Sequence, residues 1–146
     1  MIEAGGVIDI AGHRVIRPSM TTPKPKRFTF RPAEHLRRPQ DFRRAYERRR
    51  SASDTWLIVY GCENGLPYLR LGLSVSRKYG GAVARNRLRR LYREAFRLSK
   101  PELPTGLDLI LIPRRPEPPT LAVLRNVLPR LIQSLARRLQ REREAR

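Results

Sequence analysis

Apolar residues recur along the chain at two different spacings, and these spacings predict where helices and strands lie. A first helix is predicted to begin near Pro39, because proline suits the first helical position and Asp41 complements the positive end of the helix dipole. Phe42, Ala45 and Tyr46 follow at intervals of three and one, which places them on one apolar face of that helix.

Three apolar segments are predicted to be strands. Residues 55–60 are rich in β-branched and aromatic side chains, and the Glu-Asn-Gly sequence at 63–65 predicts a hairpin turn after them. Residues 68–76 alternate, with leucines and a valine on one face and small or polar residues on the other. Residues 107–112 are almost continuously apolar, which is typical of a short buried strand.

Two longer helical patterns complete the chain. Gly80 and Gly81 interrupt the strand pattern, and a helix is predicted over residues 83–98. A last helix has a leucine stripe between residues 121 and 139, and Pro129 within it predicts either a kink or a split, because proline lacks a backbone N–H. The predicted order is α-β-β-β-α-β-α, which has one strand more before the second helix than the segments assigned above, and it indicates a single α+β domain with helices packed on one mixed sheet.

The folded domain is predicted to lie between two tails. Residues 1–31 contain several glycines and prolines and few apolar residues, which is typical of a flexible basic extension. The folded domain is assigned to residues 32–140, and residues 141–146 are interpreted as a charged C-terminal tail.

Positive charge dominates the composition. The chain has 146 residues and a formal net charge of +19, and all but four of its 32 basic residues are arginines. Such a surplus opposes compaction through self-repulsion and favours a polyanionic partner, and the arginine fork suits phosphates and guanine edges. No apolar run approaches the ~20 residues needed to span a bilayer, and the first 20 residues lack signal-peptide features. We therefore expect a cytoplasmic protein with no membrane partner.

Few residues are candidates for catalysis or metal binding. Cys62 is the only cysteine, so neither an intrachain disulfide nor a cysteine-rich zinc site is expected. His13 and His35 are far apart in sequence and are not flanked by other good ligands. A histidine-based triad or a protein-held metal cluster is therefore not expected, and no residue of this chain is predicted to be catalytic.

The predicted helix over residues 83–98 carries the strongest functional signal. On a helical wheel centred on Asn86, three arginines fall within about 40° of it: Arg90, Arg93 and Arg97. Arg89 lies at the margin of this face. The opposite side is apolar and carries Ala84, Leu88, Leu91 and Ala95, with Tyr92 flanking. Arg90 and Glu94 are spaced for an i,i+4 ion pair. So many like charges close together favour a nucleic-acid contact over a merely solvated helix face.

The segment from Leu71 to Leu98, LGLSVSRKYGGAVARNRLRRLYREAFRL, resembles the signature of the bacterial ribonuclease P protein family. That signature is a glycine-containing strand ending in V-S-[RK]-K, a glycine turn, and then R-N-R-x-[KR]-R-x-x-R-E. Residues 36–42, LRRPQDF, resemble the family's opening, in which a basic pair precedes a helix bearing Asp-Phe. The resemblance spans about residues 36–139.

The resemblance implies a role as the non-catalytic protein subunit of an endoribonuclease that removes the 5′ leader of precursor tRNA. The catalyst in that family is a large RNA, so the protein alone is expected to be inactive. Seven residues are implied to bind the catalytic RNA: Arg85, Asn86, Arg87, Arg89, Arg90, Arg93 and Arg97. The implied cofactor is Mg²⁺ bound mainly by the RNA, and Asn86 is a candidate for a shared Mg²⁺ site, since one amide oxygen cannot hold the ion alone.

The resemblance also implies a cleft for the single-stranded leader, between the first helix and the open face of the sheet. The residues assigned to it are Phe42, Tyr46, Tyr60, Ser74, Arg77 and Lys78. Two alternatives remain open: Phe42 and Tyr46 could be core residues, and the strand aromatic of the family falls at either Val59 or Tyr60, which face opposite sides of a strand.

The resemblance changes one expectation about topology. The strand over 68–76, the helix over 83–98 and the strand over 107–112 form a βαβ unit, which is right-handed in ≈ 98% of cases. The family resembles one of the left-handed exceptions, so a left-handed crossover is expected.

Two other functions fit part of the sequence. A ribosomal or ribosome-associated RNA-binding protein explains the charge and the size but not the pattern from Leu71 to Leu98. A DNA-binding regulator would need a recognition helix pair or a dimer surface, and neither is evident, so no DNA partner is expected.

Overall fold

The computed structural model describes residues 30–145, which are built around one four-stranded sheet. Its helices and strands are α1 (Pro39–Glu47), β1 (Ser51–Ser53), β2 (Leu57–Glu63), β3 (Arg70–Leu73), α2 (Ala82–Ser99), β4 (Leu107–Pro113) and α3 (Leu121–Glu144). This order confirms the predicted α-β-β-β-α-β-α arrangement and the α+β class. The extension predicted over residues 1–31 lies outside the described residues except for its last two.

Strand β4 lies between β2 and β3, so the hairpin predicted at residues 63–65 is wrong. The sheet has the order β1-β2-β4-β3, with β4 antiparallel to β2 and parallel to β3. Six of the seven residues of β4 are buried, and an interior position gives such a strand neighbours for both of its edges. The Asn-Gly turn instead leads the chain past the end of β4 to β3, at the edge of the sheet. Asn64 Nδ2 donates a hydrogen bond of 2.9 Å to Asp108 on β4.

Helix α2 connects the parallel strands β3 and β4 and completes the predicted βαβ unit. It packs together with α3 on one face of the sheet, while α1 packs on the other. On β2, Leu57 and Val59 point into the larger core with α2 and α3, whereas Tyr60 points to the α1 face. The alternation of side chains along a strand therefore separates the larger core, under α2 and α3, from a smaller cluster of buried residues under α1.

The buried stripe of α2 differs from the predicted one. The residues it buries are Leu88, Tyr92, Ala95, Phe96 and Ser99, whereas Ala84 is exposed and Leu91 is half-buried. The helix is thus turned by about 50° on the wheel relative to the prediction. Tyr92 and Phe96 explain the difference, because large aromatic side chains gain more from burial than alanine does and both are fully buried.

Helix α3 runs without a break through Pro129, so of the two alternatives the split is excluded. Pro129 is itself buried, and the leucines around it pack into the larger core. The helix continues to Glu144, which places residues 141–144, predicted to be part of a charged tail, in its last turn. Glu142 in that turn forms ion pairs with Arg48 and Arg50, just after α1.

A buried carboxylate in the middle of the sheet attaches α1 to it. Asp108 on β4 is completely buried and accepts hydrogen bonds from Arg70 Nε and Nη2 at 2.8 and 2.7 Å. Arg44 Nη2 on α1 reaches the same carboxylate at 2.7 Å. The same two guanidinium groups also lie against Asp41, the buried acid of α1, at 3.4–3.5 Å. Two acids and two arginines therefore join β3, β4 and α1.

Replacing Asp108 with asparagine should destabilise the fold by about 3 kcal/mol, because a buried ion pair that loses one partner leaves the other charge uncompensated. Urea titration of the wild type and the variant measures the difference. Glu94→Gln is the matched control, since its carboxylate pairs with Arg97 at the surface of α2 and should leave stability unchanged. Equal loss in both variants would contradict the assignment.

The same variant should also change the response to acid. Burial alone would raise the pKa of Asp108, but hydrogen bonds from Arg70 and Asn64 outweigh it, and the net pKa lies below its ordinary value. A lowered folded-state pKa contributes stability above the unfolded value of about 3.9, and this is lost as pH falls through the folded value. The wild type should therefore lose more stability than Asp108→Asn below about pH 4, measured by urea titration at each pH.

Candidate nucleic-acid interface

Helix α2 presents most of its basic residues on the side away from the core, whereas Arg85 is half-buried and its Nε atom is buried. We call α2 ridge the seven residues predicted to bind catalytic RNA: Arg85, Asn86, Arg87, Arg89, Arg90, Arg93 and Arg97. Within it, Arg87, Arg90 and Arg93 are exposed, and Arg89 is half-buried. Arg89 Nη1 donates a hydrogen bond of 3.0 Å to Asn86 Oδ1, which orients that amide along the helix.

Glu94, the acid next to the α2 ridge, forms an ion pair with an arginine other than the predicted one. Glu94 accepts hydrogen bonds from Arg97 Nε and Nη2 at 3.1 and 2.6 Å, so the pair is i,i+3 and the predicted i,i+4 pair with Arg90 is wrong. The hydrogen bond to Glu94 raises the pKa of Arg97. Arg97 is therefore bound within the helix, whereas Arg90 has no ion-pair partner among residues 30–145.

The electrostatics of the ridge favour an anion. Burial lowers the pKa of Arg93, and the neighbouring charges of Arg89 and Arg37 lower it further. Guanidinium groups that disfavour each other's charge create a positive potential that a phosphate relieves.

Three aromatic side chains lie side by side on the α1 face of the sheet, and we call Phe42, Tyr46 and Tyr60 the aromatic strip. Each is half-buried, and the rings of Tyr46 and Tyr60 meet edge to face with centroids 5.1 Å apart. Phe42 lies directly over Gly72, where a Cβ atom would be 2.6 Å from Phe42 Cζ. Tyr60, Ile110 and Gly72 are paired in register across three strands, so the strip crosses the sheet.

Val59 and Tyr60, the two alternatives for the strand aromatic of the family, lie on opposite faces of the sheet. Val59 is completely buried in the larger core, on the far side of the sheet from α1. Tyr60 contacts Tyr46 and therefore belongs to the strip. Phe42 and Tyr46 are neither fully core nor fully exposed: their inner sides pack against a small cluster of Leu36, Ala45, Cys62 and Ile110.

The remaining predicted leader residues lie at the ends of the parallel strands. Ser74 follows β3 directly and donates its backbone N–H to Leu111. Arg77 and Lys78 are exposed in a single helical turn, residues 77–79, that precedes α2. The Tyr79 hydroxyl donates to the carbonyl of Pro113 and so fastens this turn to the end of β4. These three residues therefore lie between the sheet and the start of the α2 ridge.

Sequence reasoning missed two arginines beneath and beside the aromatic strip, Arg44 and Arg70. Both are held by Asp108, and the side chain of Arg44 remains 48% exposed. The missed signal is an aspartate inside an apolar strand pattern, since a buried carboxylate requires a cationic partner. The same reasoning would have predicted that an arginine of α1 reaches the sheet.

The described residues offer anion binding rather than acid–base chemistry. Each buried carboxylate lies against at least one cation: Glu34 against Lys100 and Arg31, and Asp41 and Asp108 against arginines. Within residues 30–145 no group of three acidic, histidine or cysteine side chains is placed to hold a metal ion. None of the helices in that range is long and apolar enough to cross a membrane.

Sequence comparison gives one family. A profile described as Ribonuclease P matches residues 30–121. The ribonuclease P protein component of Thermotoga petrophila is 41% identical over 87 residues, which cover 60% of this chain and 74% of that protein. The counterpart from Chloroflexus aurantiacus is 46% identical over 88 residues, covering 60% of this chain and 65% of that protein.

Comparison of structures agrees. The ribonuclease P protein of Thermotoga maritima superposes with a TM-score of 0.63 at 35% identity, covering 69% of this chain and 96% of that one. The ribonuclease P protein of Staphylococcus aureus superposes with a TM-score of 0.60 at 33% identity, covering 68% of this chain and 93% of that one.

Proposed function

The chain belongs to the ribonuclease P protein family, and on that premise we propose how its two surfaces divide the binding of RNA. The α2 ridge binds the catalytic RNA of the ribonucleoprotein, and the aromatic strip binds the single-stranded 5′ leader of precursor tRNA. One observation carries this division: α2 bears exposed arginines that have no acidic partner within residues 30–145, and half-buried rings lie on the opposite face of the sheet. The ribosomal alternative is not favoured, because the family profile and the similar structures are of ribonuclease P proteins.

The charge distribution of α2 supports its role toward the catalytic RNA. A folded RNA packs phosphates closely, and arginines one helical turn apart match such a surface. Arg87, Arg90 and Arg93 are exposed and have no acidic partner among residues 30–145. Asn86 adds an amide group that the hydrogen bond from Arg89 holds in place.

The half-burial of the aromatic strip supports its role toward the leader. Rings whose inner sides are packed and whose outer sides are free give a rigid stacking platform, which binds bases with little preference for sequence. Arg44, anchored at Asp108 yet still partly exposed, adds a fixed positive charge beside the rings for the leader backbone.

The Mg²⁺ needed by an RNA catalyst is proposed to be held mainly by the RNA. The residues around Asn86 do not fit a protein-held ion, because its Oδ1 already accepts from Arg89 and its neighbours are guanidinium groups. Asn86 therefore contributes at most one oxygen to an ion whose other ligands come from RNA or water. The protein's contribution is to bind and orient, and no proton transfer is assigned to its side chains.

Adding the protein should lower the Mg²⁺ concentration at which ribonuclease P RNA cleaves precursor tRNA, because neutralised phosphates need fewer counterions. A cleavage assay over a Mg²⁺ series, with and without protein, measures this effect. The protein alone should not cleave at any Mg²⁺ concentration. RNA-free protein that cleaves would show that a catalytic role has been overlooked.

Replacing Arg87 and Arg90 with alanine should weaken binding of the catalytic RNA and reduce the slope of log affinity against log salt by about one per lost phosphate contact. Filter binding at several salt concentrations measures the slope. The matched control replaces Arg125 and Arg137, two exposed arginines of α3, and removes the same charge from another surface. Equal slopes for the two double variants would argue against the α2 ridge.

Replacing Phe42 and Tyr46 with leucine should weaken binding of precursor tRNA to the holoenzyme while leaving mature tRNA unaffected, because stacking contributes about 1–3 kcal/mol per base. Leucine keeps the apolar contact with the sheet, so the melting temperature should change little. A series of leader lengths measures the effect, and Tyr68→Leu controls for loss of a half-buried ring elsewhere. A large drop in melting temperature without any leader dependence would make both rings core residues.

A further inference from the structure

A small polar pocket lies at the outer edge of β3, between the two proposed RNA surfaces. Its volume is about 250 Å³, and its walls come from the segment before α1, from β3 and from α2. His35 pairs with Leu71 in a parallel bridge, which holds that segment along the edge strand. Gly72 lines the pocket and also lies under Phe42 of the aromatic strip, while Arg93 of the α2 ridge closes the other side. We call this the junction pocket.

Three basic side chains line the junction pocket: His35, Arg37 and Arg93. Within residues 30–145, neither arginine has an acidic partner. The acid next to His35 is Glu34, which is buried and lies against Lys100 and Arg31. Cations that converge on a cavity without a carboxylate to neutralise them form a site for an anion.

The imidazole of His35 is held in a fixed orientation. Its ring stacks on Phe30 with centroids 3.8 Å apart and planes 15° from parallel, and Phe30 in turn lies against the buried Phe96 at 5.2 Å. The site is therefore built on the core rather than on a flexible surface side chain. Its volume falls below the ~300–1,000 Å³ typical of sites for larger small molecules.

We propose that the junction pocket binds one phosphate of an RNA strand that passes from the aromatic strip to the α2 ridge. The proposal rests on the proposed function, which supplies RNA on both sides of the pocket. The phosphate accepts hydrogen bonds from Arg37 and Arg93, and His35 contributes a further donor when it is protonated.

Protonation of His35 should be linked to this binding. Burial lowers the pKa of His35, the charges of Arg37 and Arg93 lower it further, and the Phe30 backbone and Glu34 oppose them only partly. The free protein therefore holds a neutral imidazole near pH 7. A bound phosphate favours the charged form and raises that pKa, so binding takes up a proton and strengthens as pH falls between the bound and free values. One linked proton gives at most about a tenfold change per pH unit.

The first experiment uses the full chain and sulfate as the probe. The chain has two histidines, so the imidazole signals in an NMR titration are assigned with a His35→Gln sample. In sulfate the pKa of His35 should rise by about one pH unit or more relative to sodium chloride at equal ionic strength. The Arg37→Gln, Arg93→Gln double variant should lose this rise, and Arg125→Gln should keep it. An unchanged His35, or a rise that survives the double variant, would overturn the pocket.

The second experiment uses the holoenzyme and precursor tRNA. Wild-type affinity should increase as pH falls from 7.5 to 5.5 (about the range in which histidine titrates), and His35→Gln should flatten this dependence. If sulfate binds but the two holoenzymes respond identically to pH, the pocket takes free anions and the RNA assignment is wrong. If this pH dependence is missing but the salt slopes and the leader dependence are as predicted, only the junction pocket is rejected. If the salt slopes and the leader dependence also differ from the prediction, the proposed function is rejected as well.

Discussion

The carboxylate of Asp108, buried in the central strand, determines how α1 lies on the sheet. A charge in that position is stable only with cationic partners, and the fold supplies them from the neighbouring strand through Arg70 and from α1 through Arg44. Asp108 and Ile110 are two residues apart on β4 and face the same side. The ion pairs that fix α1 therefore lie one side-chain row away from the aromatic strip. If α1 moved, Phe42 would leave its place over Gly72, so the position of the aromatic strip depends on this buried charge.

Arginines in this chain serve two different purposes. Some are bound to acids and join elements of the fold, as Arg48 and Arg50 do by holding the end of α3 through Glu142. Others, such as Arg87 and Arg90, are exposed and have no acidic partner in the described part of the chain. The composition alone does not separate these sets, because both are arginines on a highly basic chain. The position of each acid separates them, since acids are few and each buried acid of the described residues lies beside a cation.

Local patterns predicted the elements well and their arrangement less well. The bounds of α2 and the Asp-Phe helix at Pro39 followed from short-range spacing, which depends on neighbours in the chain. The hairpin failed because pairing of β2 with β4 depends on a strand about fifty residues later, and a turn sequence carries no information about it. The register of α2 failed because Tyr92 and Phe96 fill a core whose shape is set by α3. Likewise, Arg37 and His35 lie near Arg93 only in the folded chain, so the spacing of residues in the sequence does not predict the junction pocket.

The position of β4 has a consequence for how the protein is made. β2 ends at Glu63 and β3 at Leu73, yet the inner edge of each remains unpaired until residues 107–113 have been synthesised. At about 5–20 residues per second, those edges stay open for roughly 2–8 s after β3 is complete. Open strand edges are templates for pairing with other chains. The strong positive charge opposes such pairing before any RNA is bound, because two nascent copies that approach each other closely repel.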